Sequence, residues 1–269
     1  EEGEELPALR AGGAGGARAE GGALGVCGGD GTVNLEAALA AKHGLPLAVF
    51  PGGTLNHFAA DAGIEDFAAT AEAVLAGAGV AVDLGVLRAP GGERHRVFLN
   101  TFSIGIYPDL VRLRERWEHR IGKWPALALA VARLLPAAEP TELEIAGERR
   151  RVWLLFAGNG RYRRHGMAPS TRDRLDAGVL DVRLVDAGHR FARLRLVLAF
   201  LTGALDRTPV YRTARLTRLR LGGLQKVRHL SLDGEALPAP DALELGALEG
   251  GLLVYRPAVP SRSGPPEHG

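Results

Sequence analysis

The stretch Cys27-Gly28-Gly29-Asp30-Gly31-Thr32-Val33-Asn34 decides the fold. Before it runs Ala23-Leu24-Gly25-Val26, a short apolar run of the kind that forms a buried strand. After it runs Leu35-Glu36-Ala37-Ala38-Leu39-Ala40-Ala41, rich in good helix formers. Strand, glycine turn and helix in that order aim backbone N–H groups and a helix N-terminus at an anion. The glycines lack the Cβ atoms that would hold a bulky ligand away from the backbone. Asp30 supplies a carboxylate for a metal or for ribose hydroxyls. Thr32 either caps the helix or donates to a phosphate oxygen.

An ordinary glycine-rich turn would look much the same. A second signal about 20 residues on argues against it: Pro51-Gly52-Gly53-Thr54-Leu55-Asn56-His57-Phe58-Ala59 also follows an apolar run, Leu45 to Phe50, and also opens a helical pattern. Two such turns this close bring two loops to one end of a parallel sheet, where open α/β folds bind ligands. A nucleotide or phosphate site is the reading these motifs support.

Gly28-Gly29-Asp30-Gly31-Thr32 followed by Pro51-x-Gly53-Thr54-x-Asn56-x-Phe58-Ala59 resembles the diacylglycerol kinase catalytic-domain family, in particular its bacterial lipid kinases. The first motif is also similar to those of NAD kinases and phosphofructokinases; the second is more specific. The chain departs from the pattern at His57, where the family often has Asp. The resemblance implies an N-terminal doubly wound α/β domain of the NAD kinase and diacylglycerol kinase type, then a C-terminal β-sandwich-like domain. It implies an ATP-dependent transfer of the γ-phosphoryl group to a lipid hydroxyl, most simply from diacylglycerol to phosphatidic acid. Two alternatives stay open: a small-molecule kinase of the NAD kinase type, and a catalytically degenerate nucleotide- or lipid-binding protein.

The 269 residues suit one large or two small domains. Hydrophobic residues at 46% can build a core, and the mean hydropathy of +0.01 fits a soluble chain. No apolar run approaches the ~18 residues of a membrane span, and no secretory signal is visible. Cys27 is the one cysteine, which excludes an internal disulfide framework and fits a reducing compartment. As a nucleophile it lacks a recognisable base, and a small buried residue at a strand end is the preferred reading. A net charge of +2 gives no reason to expect nucleic acid. The expected location is cytoplasmic, peripheral at the inner membrane surface. A homodimer is left open.

Residues 1–87 form the expected nucleotide-binding domain, with strands near 23–27, 45–50 and 80–87 and helices near 32–43 and 66–77. Asp66 is the candidate N-cap of the last helix, and Gly77-Ala78-Gly79 its stop. The family opens with an earlier strand and a small phosphate loop. Residues 1–22 match neither, so that strand is expected to be missing. Residues 88–256 form the expected β-rich lipid-substrate domain, its last strands returning to the first domain as the resemblance implies. Arg96 to Ser103 reads as one strand ending in Gly105. Thr141–Ile145 and Arg151–Ala157 read as a hairpin turning at Ala146-Gly147, and Leu180–Val185, Leu216–Leu221, Lys226–Leu232 and Leu252–Arg256 as further strands. Residues 257–269 read as a disordered tail.

Two helices interrupt the β region. Phe191 to Leu205 places Phe191, Leu194, Leu198 and Leu201 on one face, expected to serve core or partner packing. Leu110 to Leu135 carries Arg112, Arg114, Arg116, Arg120 and Lys123 against Glu115 and Glu118, with Trp117 and Trp124 interleaved, and breaks near Gly122 and Pro125. It reads either as a solvated face with core tryptophans, the preferred reading, or as a transient docking element for an anionic membrane.

Leu230-Ser231-Leu232-Asp233-Gly234-Glu235 delivers an acidic turn from an apolar strand. Asp-Gly alone is a common hairpin signal. Beside the two upstream motifs, the resemblance implies that Glu235 is the base for the lipid hydroxyl and a catalytic residue together with Asp30. It implies that Gly28, Gly29, Asp30, Gly31, Thr32, Val33, Asn34, Gly53 and Thr54 cradle the ATP phosphates. Asp30 would hold a catalytic Mg²⁺ directly or through water, and Asn56 would position the second loop or touch nucleotide. Asn100 and Ser103 are weaker candidates, equally well read as turn-stabilising. A structural Mg²⁺ is expected to be weak or absent, because Ala177 in Asp176-Ala177-Gly178-Val179-Leu180-Asp181 replaces the family's acidic ligand. Gly158-Asn159-Gly160-Arg161-Tyr162 and Gly166-Met167-Ala168-Pro169 resemble the family's lipid-facing region. Arg161, Arg163 and Arg164 would meet an anionic head group or solvent. The histidines show no zinc-ligand pairing.

Overall fold

The computed structural model describes residues 21–90, 95–162 and 172–257. The expected missing first strand, Arg163, Arg164, the Gly166–Pro169 stretch and all of the tail but Pro257 lie outside the described residues. The chain divides into two compact units: residues 1–81 with 252–269, and residues 82–251.

The first unit contains β1 (Leu24–Gly28), α1 (Asp30–His43), β2 (Leu47–Pro51), α2 (His57–Asp61) and α3 (Phe67–Leu75). β1 and β2 pair in parallel from Leu24↔Leu47 to Gly28↔Pro51. The far end of the last strand, β15 (Leu243–Tyr255), adds to β2 in parallel through Val254↔Leu47 and Tyr255↔Ala48. Parallel neighbours need crossover connections, and the helices of those connections cover the sheet. Val33, Ala37 and Ala40 of α1 are buried, as are Val26, Leu47, Val49 and Val254 of the strands. Gly44 ends α1 in the left-handed region, where glycine carries no Cβ penalty, and its N–H reaches back to the Ala40 and Ala41 carbonyls. Asp66 caps α3 by accepting from the Ala69 N–H at 2.8 Å. Thr70 Oγ1 ties that helix to the Val49 carbonyl.

The second unit begins within β3 (Gly79–Arg88). It holds β4 (His95–Phe98), β5 (Thr101–Gly105), α4 (Tyr107–Ile121), α5 (Lys123–Leu134), β6 (Thr141–Ile145), β7 (Glu148–Asn159), β8 (Arg161–Tyr162) and β9 (Arg172–Arg174). It continues with β10 (Leu180–Asp186), α6 (Ala192–Leu201), β11 (Tyr211–Leu216), β12 (Arg218–Gly222), β13 (His229–Leu232), β14 (Glu235–Pro238) and the first part of β15. β11, β10, β7, β5, β13 and β14 pair antiparallel in that order.

One face of these strands packs into a β-sandwich-like core with β3, β4, β6, β12 and β15. Phe98, Phe102, Leu143, Leu155, Leu180, Leu219 and Leu245 belong to it. The other face is covered by α4, α5 and α6, through Tyr107, Leu110, Leu127, Val131 and Leu196 against Leu154, Phe156, Val185 and Tyr211. The period-2 alternation of β7 and β10 serves both cores, which is why these strands are buried on both sides.

The structure departs from the expected elements at several points. The stretch 96–103 is not one strand: β4 ends at Phe98 and β5 begins at Thr101, and the kink between them is held by side chains described below. The long helix breaks at Gly122, which has φ 84, whereas Pro125 sits inside the first turn of α5. An N–H there has no partner within the helix, so proline breaks nothing. Cys27 is exposed, not buried. Phe191, Leu194, Leu198 and Leu201, expected to serve core or partner packing, are exposed, which removes the core half of that expectation; Ala192, Leu196 and Ala199 do the packing. Of the two tryptophans read as core, Trp117 is half-buried and Trp124 is exposed.

Candidate active site

In the first unit the two glycine motifs meet. The Gly52 N–H donates to the Gly28 carbonyl at 3.1 Å, extending the β1–β2 pairing into the loops. A Cβ on Gly53 would overlap the Gly29 Cα and lie 2.9 Å from its nitrogen. A Cβ on Gly28 would lie 2.9 Å from the Thr32 Cβ. These glycines therefore let the two loops pack on each other. Gly31 differs: a Cβ there would meet nothing within 4 Å, so its surface is open.

Asp30 ties the loops together. Its two oxygens accept the His57 and Phe58 N–H groups, both at 3.0 Å. Those are the first N–H groups of α2, which a helix leaves without internal partners. Asn56, left-handed at φ 46, closes its own loop: its Oδ1 accepts the Gly53 N–H at 2.9 Å and its Nδ2 donates to the Gly53 carbonyl at 2.6 Å. Asn56 thus positions the second loop. Among the described residues the N-terminus of α1, with Gly29 as N-cap, has no side-chain cap. Thr32 is exposed beside it, as is Thr54 on the second loop. Val33 is a core residue whose N–H is taken by the Gly29 carbonyl. Asn34 is half-buried, and its Oδ1 has no hydrogen-bond partner among the described residues.

This arrangement presents an uncapped helix N-terminus, an open glycine and two exposed threonine hydroxyls around one carboxylate. Among the described residues no group of three or more His, Cys, Asp or Glu side chains could hold a metal. Mg²⁺ commonly takes one or two carboxylates together with substrate phosphates and water, and each Asp30 oxygen keeps a lone pair for that mode.

In the second unit, Asp233 and Gly234 have φ 47 and φ 87 and link β13 to β14. Positive φ at both central residues is the tight hairpin turn that suits Asp-Gly. The Asp233 carboxylate does more than fit the turn. It accepts the N–H groups of Leu99, Asn100 and Thr101 at 2.7, 2.8 and 2.6 Å, holding the kink between β4 and β5. The residue as a whole is part-exposed at the turn, yet its carboxylate points inward onto those three groups. Burial of the carboxylate raises its pKa to about 6, outweighing the three N–H groups and the charge of Arg172, which favour the anion. Glu235 opens β14 opposite Leu232, is exposed, and has no hydrogen-bond or ion-pair partner among the described residues.

Asn100 is buried at the kink. Its Oδ1 accepts from Arg172 at 2.7 Å, and its carbonyl accepts from the Tyr162 hydroxyl at 3.0 Å. Ser103 is buried within β5 rather than at a strand end. Asp83, buried in β3, accepts the Gly178 N–H at 2.6 Å and the Gly250 N–H at 2.9 Å, so it anchors the loop where Ala177 stands. Asp176 forms a two-pronged pair with Arg174. Sequence reasoning missed Asp83 and Arg172. An acid inside Val82-Asp83-Leu84 was a readable signal, since a buried carboxylate needs donors. Nothing local marked Arg172.

Residues 13–87 match the family model of the diacylglycerol kinase catalytic domain. A diacylglycerol kinase from Mycobacterium tuberculosis is 29% identical over 247 residues, spanning 86% of this chain and 76% of the relative. Two crystal structures of Bacillus anthracis proteins described as diacylglycerol kinases share the fold. One has a TM-score of 0.59 at 21% identity, covering 86% of this chain and 76% of that one. The other has a TM-score of 0.56 at 20% identity, covering 86% and 75%. Residues 13–87, which hold both glycine motifs, thus resemble the diacylglycerol kinase catalytic domain.

Proposed function

We propose that this chain is an ATP-dependent lipid kinase that transfers the γ-phosphoryl group to a lipid hydroxyl, diacylglycerol being the simplest acceptor. The observation that carries the reading is the paired glycine loops of the first unit, locked together by Asp30 and Asn56 beside an uncapped helix N-terminus. Phosphoryl transfer asks little covalent chemistry of a protein and depends on positioning and charge stabilisation. Gly28, Gly29, Gly31, Thr32 and Thr54 would hold the phosphates through backbone N–H groups and hydroxyls. Asp30 would hold a Mg²⁺ ion, which would supply charge neutralisation for the transferring group. Glu235, exposed at the start of β14, would accept the proton of the lipid hydroxyl.

The test is transfer of labelled phosphate from ATP to a mixed lipid extract by wild type and Glu235→Gln. Labelled lipid with wild type and a loss of about 10²–10⁴-fold in the variant is the expected result. Glu235 is exposed and without a partner among the described residues, so the variant should keep wild-type stability within about 0.5 kcal/mol. Equal labelling by both proteins would remove Glu235 from its role. No labelled lipid from a folded, ATP-binding wild type would overturn the kinase reading.

A further inference from the structure

Among the described residues no helix is long and apolar enough to cross a membrane. The membrane-docking reading of the 110–135 helix loses part of its charge argument: Arg112 pairs with Asp109, and Arg114 is buried against Glu115 and Glu118. A larger exposed apolar surface lies on α6. Phe191, Leu194, Leu198 and Leu201 are 64%, 57%, 52% and 72% exposed. Within α6, the i, i+4, i+7 spacing of Leu194, Leu198 and Leu201 sets them on one stripe, on the side away from the buried Ala192, Leu196 and Ala199, and Phe191 stands just before the helix as its N-cap.

The flanks of this stripe are basic. Between His189 and Leu205 the chain carries Arg190, Arg193 and Arg195 and no acidic residue. Arg190 lies over the Phe191 ring at 5.0 Å. Arg193 packs over Trp153 at 5.5 Å and donates to the Ala138 carbonyl at 2.8 Å, which fixes the helix so that its apolar stripe faces outward. With Arg193 tied to the protein, Arg190 and Arg195 flank the apolar stripe, the pattern of a helix that lies in a bilayer interface with guanidinium groups near anionic head groups.

A cavity of about 830 Å³ opens beside the stripe's C-terminal end. Phe200 and Leu201 of α6 and Trp124 and Pro125 of α5 form its apolar wall. The polar part of its lining holds the buried ion pair of Arg183 with Asp181, the Tyr211 side chain, and the exposed, oppositely charged Asp206 and Arg215. Leu201 belongs both to the exposed stripe and to the cavity lining, so the stripe reaches the cavity at that residue. A partly apolar cavity beside an exposed apolar stripe suits a ligand delivered from a lipid surface better than a flat protein contact. Two copies joined through this face would bring their arginines together, a like-charge arrangement that opposes a two-fold contact.

We propose that the outer face of α6, centred on Leu194 and Leu198, seats in an anionic lipid surface and sets the mouth of this cavity against the bilayer. The docking stands on α6 alone; the entry of a lipid into the cavity rests on the lipid-kinase reading.

The experiment compares wild type with the double variant Leu194→Glu/Leu198→Glu, whose sites are exposed and outside the cavity lining. Partition is measured on vesicles of phosphatidylcholine alone and of phosphatidylcholine with phosphatidylglycerol, at low and high salt. Wild type should favour the anionic vesicles by about tenfold or more, less so at high salt, and the variant should lose that binding by about tenfold. The variant should phosphorylate a water-soluble short-chain diacylglycerol as wild type does and fail on diacylglycerol embedded in vesicles. Equal vesicle binding by both proteins would overturn the docking. So would light scattering that shows a wild-type dimer split by the variant, with vesicle binding unchanged. Phosphorylation of neither substrate by wild type would overturn the kinase reading instead, since partition decides the docking by itself.

Discussion

Asp233 and Arg172 grip opposite sides of one backbone kink. Asp233 takes the N–H groups of Leu99, Asn100 and Thr101, while Arg172 donates to the Leu99 carbonyl at 2.6 Å and to Asn100 Oδ1 at 2.7 Å. The kink interrupts what would be one strand, and its three N–H groups turn to a side chain for their acceptor. Removing the carboxylate leaves up to three of them without one. Asp233→Ala should therefore cost roughly 3–5 kcal/mol in urea unfolding of the chain. Arg172→Met should cost about as much as breaking a buried charged hydrogen-bond network does, roughly 3 kcal/mol. The two effects should be non-additive in a double-mutant cycle, because the second loss falls on a kink already released. Additive losses would mean that the two residues act independently.

The same carboxylate gives the chain a pH signature. Its pKa rises to about 6 in the folded state through burial. A raised carboxyl pKa means that the folded protein binds the proton more tightly than the unfolded chain does. The associated stability is present below about pH 4 and is lost as pH rises through about 6, an effect worth roughly 3 kcal/mol. Wild type should therefore lose that amount relative to Asp233→Asn between about pH 4 and pH 7. A difference that grows in the opposite direction would mean that the three N–H groups hold the anion more strongly than burial opposes it.

What could be read in advance follows the range of the interactions involved. The α/β layer was legible because strand, glycine turn and helix are local patterns: β1, α1, β2 and α3 fall within a few residues of their expected places. The Ala146-Gly147 turn was legible for the same reason, with φ 52 and φ 89 at its two central residues. The kink at Leu99-Asn100 was not, because its cause lies 133 residues from Asn100 at Asp233 and across the fold at Arg172. The α6 stripe was legible as a stripe, but periodicity gives a face without saying whether it points inward. Small residues, Ala192 and Ala199, let the opposite face pack closely, and that side won. The glycine motifs could be read as adjoining loops, yet their mutual packing through Gly29 and Gly53 depends on a distance no spacing rule supplies.

Those glycines separate folding from ligand binding. Gly53→Ala would drive a Cβ into Gly29, and the backbone on neither side can yield cheaply. It should lower stability by about 2–3 kcal/mol in chemical unfolding. Gly31→Ala adds a Cβ in open space within α1, where alanine is the better helix former. It should raise stability by about 0.5 kcal/mol. If the Gly31 surface meets phosphate, the same variant should weaken ATP binding in calorimetry. Stabilisation with unchanged ATP affinity would take Gly31 out of the phosphate cradle.

Asp30 poses the sharpest choice, because the structure gives it one job and the proposed reaction another. As the cap of α2 it needs only acceptor oxygens facing His57 and Phe58. Asparagine keeps one such oxygen, so Asp30→Asn should cost no more than about 1 kcal/mol, against roughly 1–2 kcal/mol for Asp30→Ala. As a ligand for Mg²⁺ it needs its negative charge, since hard cations favour anionic oxygen donors. The asparagine variant should then remain folded, bind Mg²⁺-ATP more weakly and lose phosphoryl transfer by about 10²-fold or more. Thermal unfolding, nucleotide titration with and without Mg²⁺, and turnover on one preparation separate the two jobs. A folded Asp30→Asn protein with wild-type turnover would make Asp30 a cap alone. The charge stabilisation of the transferring phosphoryl group would then have to come from elsewhere in the chain.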